Sequence, residues 1–463
     1  MRSFSSELEL DPDAIRRYDI CGPAYTSYPG KDRFVEAFRE STYRHWLANR
    51  NVGAAARPLS LSVHIPDFAN ADGSPAWNGR TLRDRSRAAR HVGYLAREIS
   101  LTAEALEGER RVTQVFWDRN VTAFLSREEM RALCHPIGAL FDLSEDCELA
   151  VAVDPRAADP GMLDFLREIG FSRVSIGVCE SDAALWEESS IQSVKMTQQY
   201  IRGARATGFQ SIQADLLYDL PRQTPAAFHS ALDRILESDP DRIALSCPVC
   251  APGEFGARLR LPQARRAAMD IKLQFLAPAI ERLIQVGYVY IGMEQFAKPQ
   301  DDLAIAQRQG RLRRDLRGYS SGPDCDVLGF GSAAISRIGS AYSRNHADME
   351  HWHAALDRDT LPVGGGIVLS TDDVLRRAII GVLMCQFLLS IESIEAAYLL
   401  DFRAYFAKEL EELKELEGDG IVEITSAWIA VTPKGRPLVR VVCMIFDHYL
   451  REERRWVGYS KVL

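Results

Sequence analysis

The sequence predicts an α/β protein: a parallel strand–helix core, preceded by an irregular arm and followed by a mainly helical domain. Three observations predict it. Between residues 59 and 246 six short strand-like runs alternate with helical stretches. Such alternation demands parallel pairing with right-handed crossovers. The pattern then changes near residue 290, after which glycine-rich and helical segments take over. Six units suit either an open partial barrel or a doubly wound sheet.

The 463 residues allow two to four domains, divided here as an arm (1–58), the strand–helix core (59–290) and the C-terminal domain (291–463). Hydrophobic residues make up 46% and charged residues 26%, enough to bury a large core. A net charge of -8 gives no general attraction to nucleic acid or anionic membrane. No apolar run approaches 18 residues and the N-terminus lacks a signal-peptide core, so no membrane span is expected and the cytoplasm is the expected location. Nine scattered cysteines do not form a disulfide framework.

The arm is dense in Tyr, Gly and Pro over 18–29, which favours an ordered irregular segment; 33–50 reads as a short helix. Strands are predicted at 59–65, 112–117, 147–153, 172–178, 210–217 and 241–246. Helices are predicted at 83–106, 127–140, 159–169, 194–208, 224–238 and 263–287. Ser126 with Glu129 has capping-box spacing, and Thr224-Pro225 offers a cap followed by a helix-starting proline. A further strand is expected at 288–293, an irregular segment at 300–345, and helices beginning at Thr371-Asp372 and Asp401. The runs 421–425 and 428–431 read as a small hairpin within a winged-helix-like arrangement, whose acidic flank argues against DNA binding.

In an α/β barrel the loop after the first strand is well placed for chemistry. Here that loop, beyond His64, holds only Asp67 and Asp72 as acids. Cys247 and Cys250 form the single C-x-x-C pair, and Cys179 ends the fourth strand; these three thiols suit a metal or redox site only if His64 completes it, and buried free cysteines are the favoured reading. His346, His351 and His353 have spacings that scatter them around a helix rather than aligning them for a metal. Asp215 in the fifth strand, Asp154 and Arg156 after the third, and Asp118-Arg119-Asn120 after the second are strand-end polar residues that bind a ligand or close ion pairs. Gly329 and Gly331 are a weak phosphate signal without the full glycine fingerprint. Arg311, Arg313, Arg314 and Arg317 form a basic cluster suited to a carboxylate-rich or phosphorylated ligand, with a solvated charge run as the alternative.

Several stretches together resemble the oxygen-independent coproporphyrinogen III oxidases (coproporphyrinogen dehydrogenases), radical S-adenosylmethionine enzymes of haem biosynthesis. They are GPAYTSYP (22–29), LSLSVHIP (59–66), VDPR (153–156), GFSRVSIGV (170–178), DLLYDLPRQTP (215–225), 290–312, 318–339 and 432–451. The resemblance implies a six-unit (βα) partial barrel with an N-terminal arm and a mainly helical C-terminal domain bearing a small hairpin. It also implies a [4Fe–4S] cluster held by C-x-x-x-C-x-x-C directly after Pro66. Phe68, Asp72 and Pro75 occupy those three positions, and Phe and Pro cannot ligate iron. The family's glycine-rich turn after its second strand is matched by Asp118–Thr122, its Glu by Ala152, its Gln by Cys179 and an Arg by Ile191. Of the placed cofactor contacts only Asp215 persists.

From this departure the sequence is read as a catalytically inactive relative, a pseudo-enzyme without cluster or S-adenosylmethionine. Its expected ligand is a porphyrin or haem in tetrapyrrole metabolism or trafficking, met by Tyr25, Tyr28, Arg313 and Arg317. One alternative is a regulatory or partner subunit acting through protein contacts. Another is coproporphyrinogen III oxidase activity, or other chemistry, at a non-standard site.

Overall fold

A computed structural model of the chain describes residues 8–50, 57–65, 85–155, 158, 161–178, 194–220, 223–247, 269–452 and 462. Its centre is a twelve-stranded sheet. The strands β1 (Leu59–Val63), β2 (Arg111–Trp117), β3 (Asp142–Val153), β4 (Arg173–Val178), β5 (Ser211–Leu217) and β6 (Arg242–Ser246) lie side by side in chain order. Every neighbouring pair among them is parallel. The intervening helices run over Arg85–Ala105, Arg127–Leu140, Met162–Glu168, Val194–Ala206, Pro225–Leu236 and Met269–Gln285. Of the two sheet forms open to the sequence, this is the six-unit open barrel.

The strands form here because alternate residues have two destinations. In β5, Ile212, Ala214 and Leu216 are buried against the helices, while Gln213 and Asp215 face the barrel interior. β1 contributes Leu59, Leu61 and Val63, none with measurable exposure. The helix starts follow the sequence signals: Ser126 and Glu129 form a reciprocal capping box, and the Thr224 hydroxyl accepts from Ala227 N.

The sheet does not stop near residue 290. β7 (Val289–Gly292) and β8 (Gln295–Ala297) form a hairpin that pairs antiparallel to β6. The segment expected to be irregular holds a helix, Asp302–Arg308, the separate hairpin β9 (Arg313–Asp315) and β10 (Gly318–Ser320), and three sheet strands. These are β11 (Asp326–Phe330), β12 (Ile335–Ile338) and β13 (Ala341–Asn345), joined by β14 (Val363–Val368). β11 runs parallel to β1, and the others continue antiparallel. Strands of three to five residues between glycines are too short to print a period on the sequence.

The C-terminal part packs helices Thr371–Gln386, Ile391–Tyr398, Ala407–Gly418 and Val439–Ile445 around the small sheet β15 (Leu388–Ser390), β16 (Val422–Ile424) and β17 (Trp428–Val431). The cap of the first helix is Ser370, paired with Asp373 in a capping box, one residue before the expected start. The short helix in the arm is Glu40–Ala48, later than expected. Among the described residues no helix is long and apolar enough to cross a membrane.

The arm is clamped to this C-terminal part. Arg440 Nε donates to Pro23 O at 2.9 Å and its Nη2 to Gly22 O. Tyr25 Oη donates to Asp447 Oδ2 at 3.0 Å, and Tyr28 Oη accepts from His448 N at 3.1 Å.

Candidate active site

Barrels of this kind are commonly filled by bulky interior side chains. Here the interior residues Ala150 and Ala152 of β3 and Ser175 of β4 are small, and they leave a cavity of about 710 Å³. Its lining also includes His64, Asp118, Asp215 and Arg317.

The bottom of the cavity is lined by ion pairs. Arg242 Nε donates to both oxygens of Asp301 at 2.9 Å, and Ser211 Oγ donates to the same carboxylate at 3.1 Å. Arg173 bridges Glu148, at 2.8 Å, and Asp302. Burial pulls the Arg173 guanidinium down, but these carboxylates outweigh it and raise it above its ordinary value. Asp301 and Asp302 sit at the start of helix Asp302–Arg308, so that helix holds the floor.

At the opposite end, where β1 and β2 finish, His64 Nδ1 lies 2.5 Å from Asp118 Oδ2. Asp118 is itself fixed. It caps the helix Arg119–Phe124 by accepting from Asn120 N and Val121 N, and it accepts from Ile65 N at 3.1 Å. Asn120 Nδ2 donates back to Ile65 O at 2.6 Å. The carboxylate therefore holds the imidazole with Nδ1 turned inward, leaving Nε2 as the nitrogen able to accept or deliver a proton. The sequence placed Asp118 and His64 at strand ends but gave no sign that they pair; that follows from β1 and β2 being neighbours.

The His64 backbone has its own support. His64 N donates to Phe330 O at 2.9 Å, and Gly331 packs so close that a Cβ there would lie 1.9 Å from His64 O. Gly331 also has φ +109°, a region that favours glycine. Gly329 and Gly331 thus serve close backbone packing at the end of β11, not a phosphate cradle. Gly331 N donates to the buried Glu98, which also accepts from Asn345 Nδ2 at 2.5 Å and Trp352 Nε1 at 3.2 Å. Burial pushes the Glu98 carboxyl up to about 8, against the pull of these three donors.

The other expected residues fall in different places. Asp215 lies inside the cavity, accepting from Ser175 Oγ and, at 2.6 Å, from Gln213 Nε2. Arg317 lies in it too, bonded to Gln114 Oε1 at 2.5 Å and Asp315 at 3.3 Å. Tyr25, Tyr28 and Arg313 line a second cavity of about 450 Å³, whereas Arg317 lines the first; the two cavities share Asp315 and Ser320. Cys247 is buried. Asp67, Phe68, Asp72, Pro75, Arg156, Cys179, Ile191 and Cys250 lie outside the described residues. His351 Nδ1 pairs with Asp348 at 2.6 Å, and the His353 ring packs on Tyr94. Among the described residues no three His, Cys, Asp or Glu side chains are placed to share a metal ion.

Comparison with known proteins identifies relatives along the whole chain. Residues 369–438 match the family model described as the HemN C-terminal domain. The chain is 38% identical over 464 residues to the oxygen-independent coproporphyrinogen III oxidase of Pseudomonas aeruginosa, covering 98% of this chain and 99% of that one. It is 35% identical to the Escherichia coli K12 enzyme of the same name, covering 99% of each. The solved coproporphyrinogen III oxidase (HemN) from Escherichia coli, described as a radical SAM enzyme, superposes with a TM-score of 0.85 at 34% identity, covering 96% of this chain and 100% of that one.

Two expectations are corrected by these findings. A catalytically inactive relative is not supported, because the end-to-end relatives carry the name of an active oxidase. The absence of cluster and S-adenosylmethionine falls with it, because the solved relative is a radical SAM enzyme. The donor chemistry is a separate matter. A cluster held by three thiolates does not fit Phe68, Asp72 and Pro75, and the seven described cysteines are not grouped with other metal donors. No chemical step is therefore assigned to a cluster held at those positions.

Proposed function

This chain belongs to the oxygen-independent coproporphyrinogen III oxidase family, and from that premise we propose that it acts on a coproporphyrinogen-class tetrapyrrole in the barrel cavity, at a non-standard site. The observation that carries this reading is the open interior: about 710 Å³, with the small Ala150, Ala152 and Ser175 leaving room and the cations Lys31, Arg119 and Arg317 set in walls that also hold Asp118, Asp215 and Asp315. A carboxylate-bearing macrocycle needs that combination of room and positive charge.

The chain's own residues have separable tasks in this reading. Arg317, set by Gln114 and Asp315, receives a substrate carboxylate. His64, oriented by Asp118, moves a proton through Nε2. Asp215, held by Ser175 and Gln213, presents a fixed carboxylate to the cavity. The ion pairs of the floor fix the end of the cavity opposite His64.

Titration of the full chain with coproporphyrin III, followed by its fluorescence, tests the binding part. Saturable quenching at micromolar ligand is expected, weakened roughly tenfold in Arg317→Gln as one charge-assisted contact is lost. Unchanged fluorescence would count against the reading.

A further inference from the structure

The second cavity carries a separate assignment. It lies between the β9–β10 hairpin, the helix Thr371–Gln386 and arm residues 25–28, and encloses about 450 Å³. Six arginines line it: Arg57, Arg311, Arg313, Arg314, Arg337 and Arg377. Against them stand two carboxylates, Asp315 and Asp324.

Both carboxylates are already engaged. Asp324 pairs with Arg337 at 2.7 Å and with Arg57 at 3.6 Å. Although burial pushes Asp324 up, Arg337 and Arg57 hold it below its ordinary value. Asp315 pairs with Arg317, whose side chain reaches the barrel cavity instead. Among the described residues, Arg313, Arg314 and Arg377 have no carboxylate within ion-pair distance. Arg314 is held in place by stacking on Tyr319 at 4.8 Å and by donating from Nε and Nη2 to Ala24 O. Its Nη1 is buried without a hydrogen-bond partner, and so is Nη1 of Arg377.

Three guanidinium groups around one cavity repel one another, and two of them, Arg314 and Arg377, each have a donor nitrogen buried without a hydrogen-bond partner. That cost is removed if an anion enters, since guanidinium forks match carboxylate and phosphate oxygens. The groups come from separate chain segments, 313–314 and 377, so the concentration of charge is a product of folding. A solvated charge run along one segment would not bury donor nitrogens in this way.

We propose that this second cavity binds a small, multiply charged oxyanion, a polycarboxylate or a phosphate, through Arg313, Arg314 and Arg377. The site is distinct from the barrel cavity and does not require that tetrapyrrole chemistry occur there. The two cavities share Asp315 and Ser320 in their walls, so the oxyanion has two sources: a free small molecule, or the carboxylate arm of a tetrapyrrole that extends from the barrel.

The test is calorimetric titration of the full chain at low salt with citrate and, separately, inorganic phosphate. One saturable site is expected for at least one of them. Affinity should fall roughly tenfold to a hundredfold in Arg313→Gln and in Arg377→Gln, as a charge-assisted contact is lost in each. Arg313 is exposed, so its replacement leaves the fold intact; Arg131→Gln, at an exposed pair on the outer helix Arg127–Leu140, serves as the unaffected control. Repeating the titration with coproporphyrin III bound separates the sources: unchanged citrate affinity identifies a free anion, and competition identifies the tetrapyrrole's carboxylates. No saturable binding of either anion, or binding indifferent to both arginine variants, would overturn the assignment.

Discussion

Glu98 shows how much the site depends on residues that never reach the cavity. It receives donors from Gly331, Asn345 and Trp352, and through Gly331 it fixes the backbone beside His64. Its carboxyl is pushed up to about 8 from an ordinary 4.5. A folded-state pKa above the unfolded one means that this group's stabilisation is complete below about pH 4.5 and is lost as pH rises to about 8. Glu98→Gln removes that titration. Urea midpoints measured from pH 5 to 8 should show the variant gaining on the wild type, by on the order of a few kcal/mol across the window. Parallel curves would contradict it. None of this was legible in the sequence, where Glu98 is one acid in a helix; its role arises from three donors far along the chain. The same holds for Asp118, whose type and place were visible but whose pairing with His64 was not.

At the scale of elements the sequence was more informative. The six parallel strands and their helices follow from hydrophobic period and caps, and Ser126 and Thr224 cap as their spacing implies. The segment 300–345 was misread because its strands are short and its helix, Asp302–Arg308, covers only seven residues. Yet that helix start lines the barrel floor. Asp301→Ala should free Arg242, unpair Ser211 and remove the cap on Leu303 N at once. Breaking a buried pair from one side costs about 3–5 kcal/mol, which denaturant unfolding would register directly. A loss within about 0.5 kcal/mol would mean that the floor is not structural.

For the whole molecule, the resemblance indicated the architecture and also led to the expectation of lost activity, drawn from Phe68, Asp72 and Pro75. Whole-length similarity to named oxidases overturned that expectation, and the action on a coproporphyrinogen-class tetrapyrrole proposed above takes its place. The arm ties the parts together through Arg440, which is almost fully buried and lowered to about 10 by burial while it donates to Gly22 and Pro23. Arg440→Met should leave those carbonyls unpaired and cost about 2–4 kcal/mol, with earlier proteolytic cleavage of the arm; an equally resistant arm would contradict the clamp. The most direct measurement of the central claim is anaerobic equilibrium dialysis of coproporphyrinogen III against the full chain. Saturable retention of the tetrapyrrole, weakened roughly tenfold in Arg317→Gln, is the predicted result; no retention by folded protein would contradict it.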